Sequence, residues 1–372
     1  MKINVIRNRH HDYLNIIRFV LSISETFIAD SETPEVDALF AIGVFFYERK
    51  RKMVYVLLIL GFVLLIKGAD FFVDGSSSVA KLLKVPTIII GLTVVAFGTS
   101  MPEASVSITA AMKGQNALAV SNVLGSNIFN LLVVLGASAL VRPLAASSSV
   151  LKKEFPLSVF TTLLLFALTS QLAVSKIMQG GGEYVLGRTA GIILLIVFVI
   201  FLVMQVHGAL KARNDYDSEE EVEVMSPVKS AAFIIVGLAG IIWGGDLVVD
   251  SATQIAVQFG LSQTFIGLTI VAMGTSLPEL VTSMIAAKKG ENDLAIGNVV
   301  GSNLFNILLI LGASSSICPI TVDINALYDM LILVVFSILV YLCAKGGREL
   351  SKKEGVLFLA VYAVYFGYIF AR

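Results

Sequence analysis

Two glutamates end the same short phrase. Glu103 closes Gly-Thr-Ser-Met-Pro-Glu at 98–103, and Glu279 closes Gly-Thr-Ser-Leu-Pro-Glu at 274–279. Both phrases lie in chain apolar enough for a lipid bilayer, where an ionisable side chain is costly and marks a functional site by default. Hydroxyls crowd each carboxylate: Thr99 and Ser100 in the first copy, Thr275 and Ser276 in the second. Downstream, Ser126 precedes Asn130 by four residues, and Ser302 precedes Asn306 likewise. That spacing sets a hydroxyl and an amide on one helix face. The pairs Gly98/Pro102 and Gly274/Pro278 interrupt their helices, so backbone carbonyls near Ala96 and Ala272 are expected to be freed toward the same site. Such backbone is tolerated at membrane depth only when buried in protein or lining a wet cavity.

Carboxylate, amide, hydroxyl and carbonyl oxygens suit a hard cation. Ca²⁺ accepts ~6–8 oxygens in flexible geometry, whereas Mg²⁺ demands a tight octahedron. Two facing carboxylates repel, and each carries a desolvation cost of ~20 kcal/mol in the idealised Born limit. One Ca²⁺, two monovalent cations or two protons would offset that charge. A site that resists being empty favours exchange. Blander readings stand beside this one. The glutamates are alternatively helix-end caps, the four Thr and Ser hydroxyls alternatively serve the broken backbone, and Asn130 and Asn306 alternatively join helices by hydrogen bonds. Asp70, Asp74, Asp246 and Asp250, spaced i, i+4, read as interfacial end charges. Cys318 and Cys343 are too few for a disulfide framework, and His10, His11 and His207 give a transition metal little to bind.

The elements that must position these residues are membrane spans. Of 372 residues 56% are hydrophobic and 15% charged, against roughly 25% charged in a soluble domain. The formal net charge of zero offers no basic nucleic-acid surface. Apolar runs long enough for a bilayer core of ~30 Å recur, and ten spans fit between residues 54 and 370. The motif copies are offset by 176 residues, and 91–136 matches 267–312 at 28 of 46 positions. Two five-span halves, 53–207 and 229–372, joined by an acidic linker at 208–228, are therefore expected. An odd number of spans per half inverts the second half in the membrane, with a site at the midplane between the halves. Lys and Arg in the loops, fourteen on one side against four on the other from Met53 onward, predict a cytoplasmic linker and an external C-terminus. Residues 1–52 have no counterpart in the second half, and Glu-Arg-Lys-Arg-Lys (48–52) falls on the side expected to be external. Met53 as the true start, or a poorly ordered extension, would resolve the conflict.

With GTSMPE and GTSLPE followed by GSNIFN (125–130) and GSNLFN (301–306), the chain resembles the sodium/calcium exchangers of the cation/calcium antiporter superfamily over 53–372. The resemblance implies an all-α protein of ten transmembrane helices in two inverted repeats, working by alternating access as two long helices slide against a core of eight. It implies ion ligation by Glu103 and Glu279, with Thr99, Ser100, Thr275, Ser276, Ser126, Ser302, Asn130, Asn306 and the carbonyls of Ala96 and Ala272 around them. Exchange of Na⁺ for Ca²⁺ across the cytoplasmic membrane is the expected activity, with no enzymatic reaction, resident cofactor, nucleic acid or obligatory protein partner. Some relatives carry an aspartate at one position equivalent to Asn130 or Asn306. Two asparagines leave the Na⁺:Ca²⁺ ratio and any K⁺ co-transport open. H⁺/Ca²⁺ exchange is the nearest rival. A passive channel would favour rings of ligands. An intramembrane aspartyl protease, suggested by Gly244-Gly245-Asp246, lacks a matching second motif.

Overall fold

The computed structural model describes residues 34–170, 184–214, 224–260 and 272–371, with side chains from Met53 onward in the first stretch. The acidic run at 215–223 and residues 1–33, on which two of the sequence expectations fall, lie outside the described residues. The chain divides into the units Met1–Val56 and Leu57–Arg372, and the second holds the paired features of both motif copies.

Helix α1 (Pro34–Leu83) runs unbroken through 34–52, so the apolar stretch 39–47 is helical. Then come α2 (Thr87–Thr99) and α3 (Met101–Met112), bent by 53° at their junction, and α4 (Leu118–Val141). After α5 (Phe155–Ser170) and α6 (Arg188–Asn214) the second half opens with α7 (Pro227–Gln258). A short turn at Ala272–Gly274 leads into α8 (Leu277–Lys289), followed by α9 (Asn292–Ile317), α10 (Ile324–Gly347) and α11 (Lys352–Ala371). Among the described residues six helices are long and apolar enough to cross a membrane, and the bent pair α2 and α3 passes the same test of length and composition when taken together. The chain is a multi-pass α-helical membrane protein.

Burial separates inner from outer helices. In the most apolar windows of α4 and α9, 78% and 94% of residues are buried, against 33% for α1 and 28% for α7. Outward-facing Ile59, Ile235 and Trp243 are each more than 60% exposed. Apolar side chains there need lipid, and the helices satisfy their own backbone groups.

The outer pair α1 and α7 run antiparallel at close range. A Cβ at Gly61 would meet Gly244 O at 3.0 Å, one at Gly68 would meet Gly237 O at 2.8 Å, and one at Gly75 would meet Ser230 O at 2.9 Å. Rising numbers on one helix meet falling numbers on the other. Small residues are what let backbones in a membrane approach this closely. Gly244, part of the segment that suggested a protease, is thus used in helix packing.

Two short antiparallel ladders also join the halves. Strand β1 (Leu144–Ala145) pairs with β4 (Glu349–Leu350), and β2 (Tyr184–Leu186) pairs with β3 (Ile320–Val322). Local chemistry sets the helix starts beside them. Asp323 Oδ1 accepts from Ala326 N at 2.7 Å to cap α10. At α11, Ser351 and Glu354 form a capping box, with Glu354 Oε2 accepting from Ser351 N at 3.0 Å. The Ser351 hydroxyl also donates to Glu354 and holds its carboxyl below the usual carboxylate range.

Candidate functional site: a buried oxygen cluster between the halves

Proline builds the break on which each glutamate sits. Pro102 and Pro278 stand in the first turn of α3 and α8, preceded by Ser100 (φ −83°, ψ 5°) and Ser276 (φ −92°, ψ 6°). A proline removes the N–H that would bond the carbonyl four residues earlier, which is Gly98 O or Gly274 O. The expectation for Ala96 needs correction on this point. Its carbonyl keeps an intrahelical partner, accepting from Ser100 N at 3.0 Å. Ala272 heads its short turn. Glu103 and Glu279 fall in the first turns of α3 and α8, where the partial positive charge of a helix N-terminus favours a carboxylate.

Each carboxylate is gripped across the repeat boundary. Ser276 Oγ donates to Glu103 Oε1 at 2.9 Å, and Ser100 Oγ donates to Glu279 Oε1 at 2.9 Å. The inner helices add Ser126 to Glu103 at 3.5 Å and Ser302 to Glu279 at 3.3 Å. Both glutamates are fully buried. The second oxygen of each, Oε2, is sealed from solvent and has no hydrogen-bond partner. Asn130 Oδ1 and Asn306 Oδ1 are in the same condition. Four orphaned acceptors, two from each half, are an expensive arrangement unless a cation is the missing partner. Among the described residues, no three His, Cys, Asp or Glu side chains cluster to hold a metal, so the donor set is mixed carboxylate and neutral oxygen, which suits a hard ion.

The asparagines serve the helix-joining reading with their nitrogens and leave their oxygens unpartnered. Asn130 Nδ2 donates to Asn303 Oδ1 at 3.2 Å and Asn306 Nδ2 to Asn127 Oδ1 at 2.9 Å, joining α4 to α9. Their oxygens are left over. Widened i→i+5 turns begin at Asn130 (Asn130–Val134) and enclose Asn306 (Phe305–Leu311). Such turns re-aim side chains and recur at functional sites.

Thr99 sits beside this cluster: its hydroxyl lies 3.1 Å from Val95 O and 3.0 Å from Asn298 Oδ1, and it also hydrogen-bonds Glu279. Thr275, half-buried, lines a cavity of about 80 Å³ with Pro102, Gly245, Asp246, Asp250 and Pro278. The aspartates at the end of α1 have another use. Lys289 Nζ, at the end of α8, reaches Asp70 Oδ1 at 2.6 Å and Asp74 Oδ1 at 2.7 Å.

Sequence reasoning missed a supporting layer. Asn122 Nδ2 donates to Ser107 Oγ at 2.9 Å and lies 3.4 Å from Glu103 O; Asn298 repeats both contacts with Ser283 and Glu279 O at the same distances. With Asn127 and Asn303 these residues brace the glutamate backbone and the paired amides. All are identical at the 176-residue offset, a signal available in the sequence.

Comparison with known proteins agrees with this geometry. The family model described as sodium/calcium exchanger protein matches residues 53–207 and 229–371. The putative antiporter CaxA of Alkalimonas amylolytica is 40% identical over 319 residues, covering 83% of this chain and 96% of that protein. The inner membrane protein YrbG of Escherichia coli is 38% identical over 324 residues, covering 84% and 96%. A structure of the sodium-calcium exchanger NCX_Mj, soaked with 10 mM Na⁺ and zero Ca²⁺, aligns with a TM-score of 0.72 at 32% identity over 85% of this chain and 99% of that one. The chain is a member of the sodium/calcium exchanger family.

Proposed function

We propose that the protein is a secondary antiporter that exchanges Na⁺ for Ca²⁺ across the cytoplasmic membrane, at a site built around Glu103 and Glu279. The observation that carries this reading is the set of four sealed, unpartnered oxygens, Glu103 Oε2, Glu279 Oε2, Asn130 Oδ1 and Asn306 Oδ1. One Ca²⁺ cancels two carboxylates, and so do two Na⁺. Ser100, Ser276, Ser126 and Ser302 complete the oxygen shell, with Thr99, Thr275 and the carbonyls of Ala96 and Ala272 at its edge. Similarity to a sodium-calcium exchanger over nearly its whole length supports Na⁺ as the coupling ion.

Ten crossings follow if α5, α8 and α11 each span. Strand pairing supports that count. Loops that hydrogen-bond share one side of the membrane, and ten crossings place β1 and β4 after odd numbers of spans and β2 and β3 after even ones. The Lys289 ion pairs join the C-terminal end of α8 to α1, and by the Lys and Arg count that end faces the cytoplasm. The cavity of about 80 Å³ lined by Asp246, Asp250 and Thr275 borders a site whose two glutamates are themselves fully buried.

Reconstitution into liposomes tests the proposal. With Na⁺ inside and ⁴⁵Ca²⁺ outside, uptake is expected to depend on internal Na⁺ and to collapse when K⁺ replaces it. Uptake driven by a pH gradient and indifferent to Na⁺ would assign the coupling to H⁺ instead. No gradient-driven uptake under either condition would overturn antiport.

A further inference from the structure

We infer that Asn127 and Asn303 are positioning residues that aim the carbonyl oxygens of Asn306 and Asn130 at the ion, each acting across the repeat boundary. The inference rests on the reading of this cluster as a Ca²⁺ site.

All four asparagines are 1% exposed or less. Their orientations follow from one fixed point. A backbone carbonyl only accepts hydrogen bonds. Asn127 Nδ2 donates to Asn303 O at 3.4 Å, and Asn303 Nδ2 donates to Asn127 O at 3.3 Å. The amino ends of both amides are thus committed to the facing backbone, so their Oδ1 atoms must point the other way. Those oxygens are what Asn130 Nδ2 and Asn306 Nδ2 meet, at 3.2 Å and 2.9 Å. Turning either amide over would set oxygen against oxygen. Asn130 Oδ1 and Asn306 Oδ1 are therefore the ends left over, and neither has a partner.

With asparagine at both 130 and 306, the formal negative charges of the centre are those of Glu103 and Glu279. Residues behind metal ligands typically change affinity by ~10–100-fold when removed.

Double-mutant cycles on Ca²⁺ binding test the assignment, using calorimetry on the full chain purified in detergent. Asn303→Ala is expected to weaken Ca²⁺ binding at least ~10-fold. In protein already carrying Asn130→Ala, the same change should cost less than ~3-fold, because the oxygen it aims is gone. Combined with Asn306→Ala, which Asn303 does not hold, its effect should multiply in full. The mirror cycle joins Asn127 to Asn306. A general packing role would multiply in every background, and that result overturns the inference, as does unchanged affinity in a monodisperse Asn303→Ala protein. Should the alanine variant not be recovered folded, Asn303→Leu, close in volume and without an acceptor, is read in the same cycle. Wild-type protein that binds no Ca²⁺ would overturn the site reading itself, a result distinct from multiplicative mutants on a binding wild type.

Discussion

At the scale of single residues, charge and reach explain the site. Glu103 and Glu279 each spend one oxygen on serines and leave the other without a hydrogen-bond partner. Glu103→Gln or Glu279→Gln preserves shape while removing half of the charge that balances Ca²⁺. Removing one partner of a buried charge pair costs ~3–5 kcal/mol, so ⁴⁵Ca²⁺ uptake should fall at least ~100-fold while the protein remains monodisperse on size exclusion. Retained uptake in both variants would remove the glutamates from the mechanism. The cross-gripping serines give a finer test. Ser276→Ala takes a hydrogen bond from Glu103, and bonds to charged groups are worth about 1.5–3 kcal/mol. The Ca²⁺ concentration for half-maximal transport should rise roughly tenfold, and the mirror change Ser100→Ala, which takes the matching bond from Glu279, should do the same. These residues were readable from the duplicated phrases. Their pairing was not, because offset and identity say nothing about which serine crosses to which carboxylate.

At the scale of elements, helix breaks and close helix contacts do the positioning. Prolines 102 and 278 start α3 and α8 and so set each glutamate at a helix N-terminus. Glycines along α1 and α7 allow the outer helices to touch. At Gly68 a Cβ would fall 2.7 Å from Ile241 N, and backbone cannot move aside as a flexible side chain does. Gly68→Ala should therefore destabilise by about 1–3 kcal/mol, the range for overpacking, read as a lower midpoint of thermal unfolding in detergent. Gly367→Ala is the control, since a Cβ there meets nothing within 4 Å, and its midpoint should hold. The freed carbonyl was misassigned to Ala96 in the sequence reading. Proline strips the carbonyl four residues back, and Ala96 lies six before Pro102.

For the whole molecule, an asymmetry stands out against the internal symmetry. Lys289 ties α8 to α1 through Asp70 and Asp74. Its counterpart at the 176-residue offset, Lys113, is exposed and forms no ion pair among the described residues. The Lys289 pairs are themselves partly exposed, with side chains 26–44% accessible, so they are worth ~1 kcal/mol at most. A tie of that strength could open and close readily in the proposed exchange cycle. Lys289→Met should shift the population toward cytoplasmic opening by up to about fivefold. The readout is the labelling rate of a cysteine placed at Ser77, buried in this conformation, after replacement of Cys318 and Cys343. Lys113→Met should leave that rate unchanged. Equal rates in Lys289→Met and the parent would show that the ion pairs do not hold this side shut.

The sequence by itself determined the membrane class, the two-fold internal repeat and the oxygen chemistry of the candidate ligands, because hydropathy, a fixed offset and residue type are all local properties of the chain. Tertiary structure decided what depends on crossing. It gave each glutamate a serine from the other half and turned the Asn130 and Asn306 oxygens inward by locking their nitrogens against α9 and α4. It also set Thr99 against Asn298 and Asp70 and Asp74 against Lys289. Every one of these contacts joins residues brought together by the packing of one repeat against its inverted copy, and such partners have no spacing of their own in the chain.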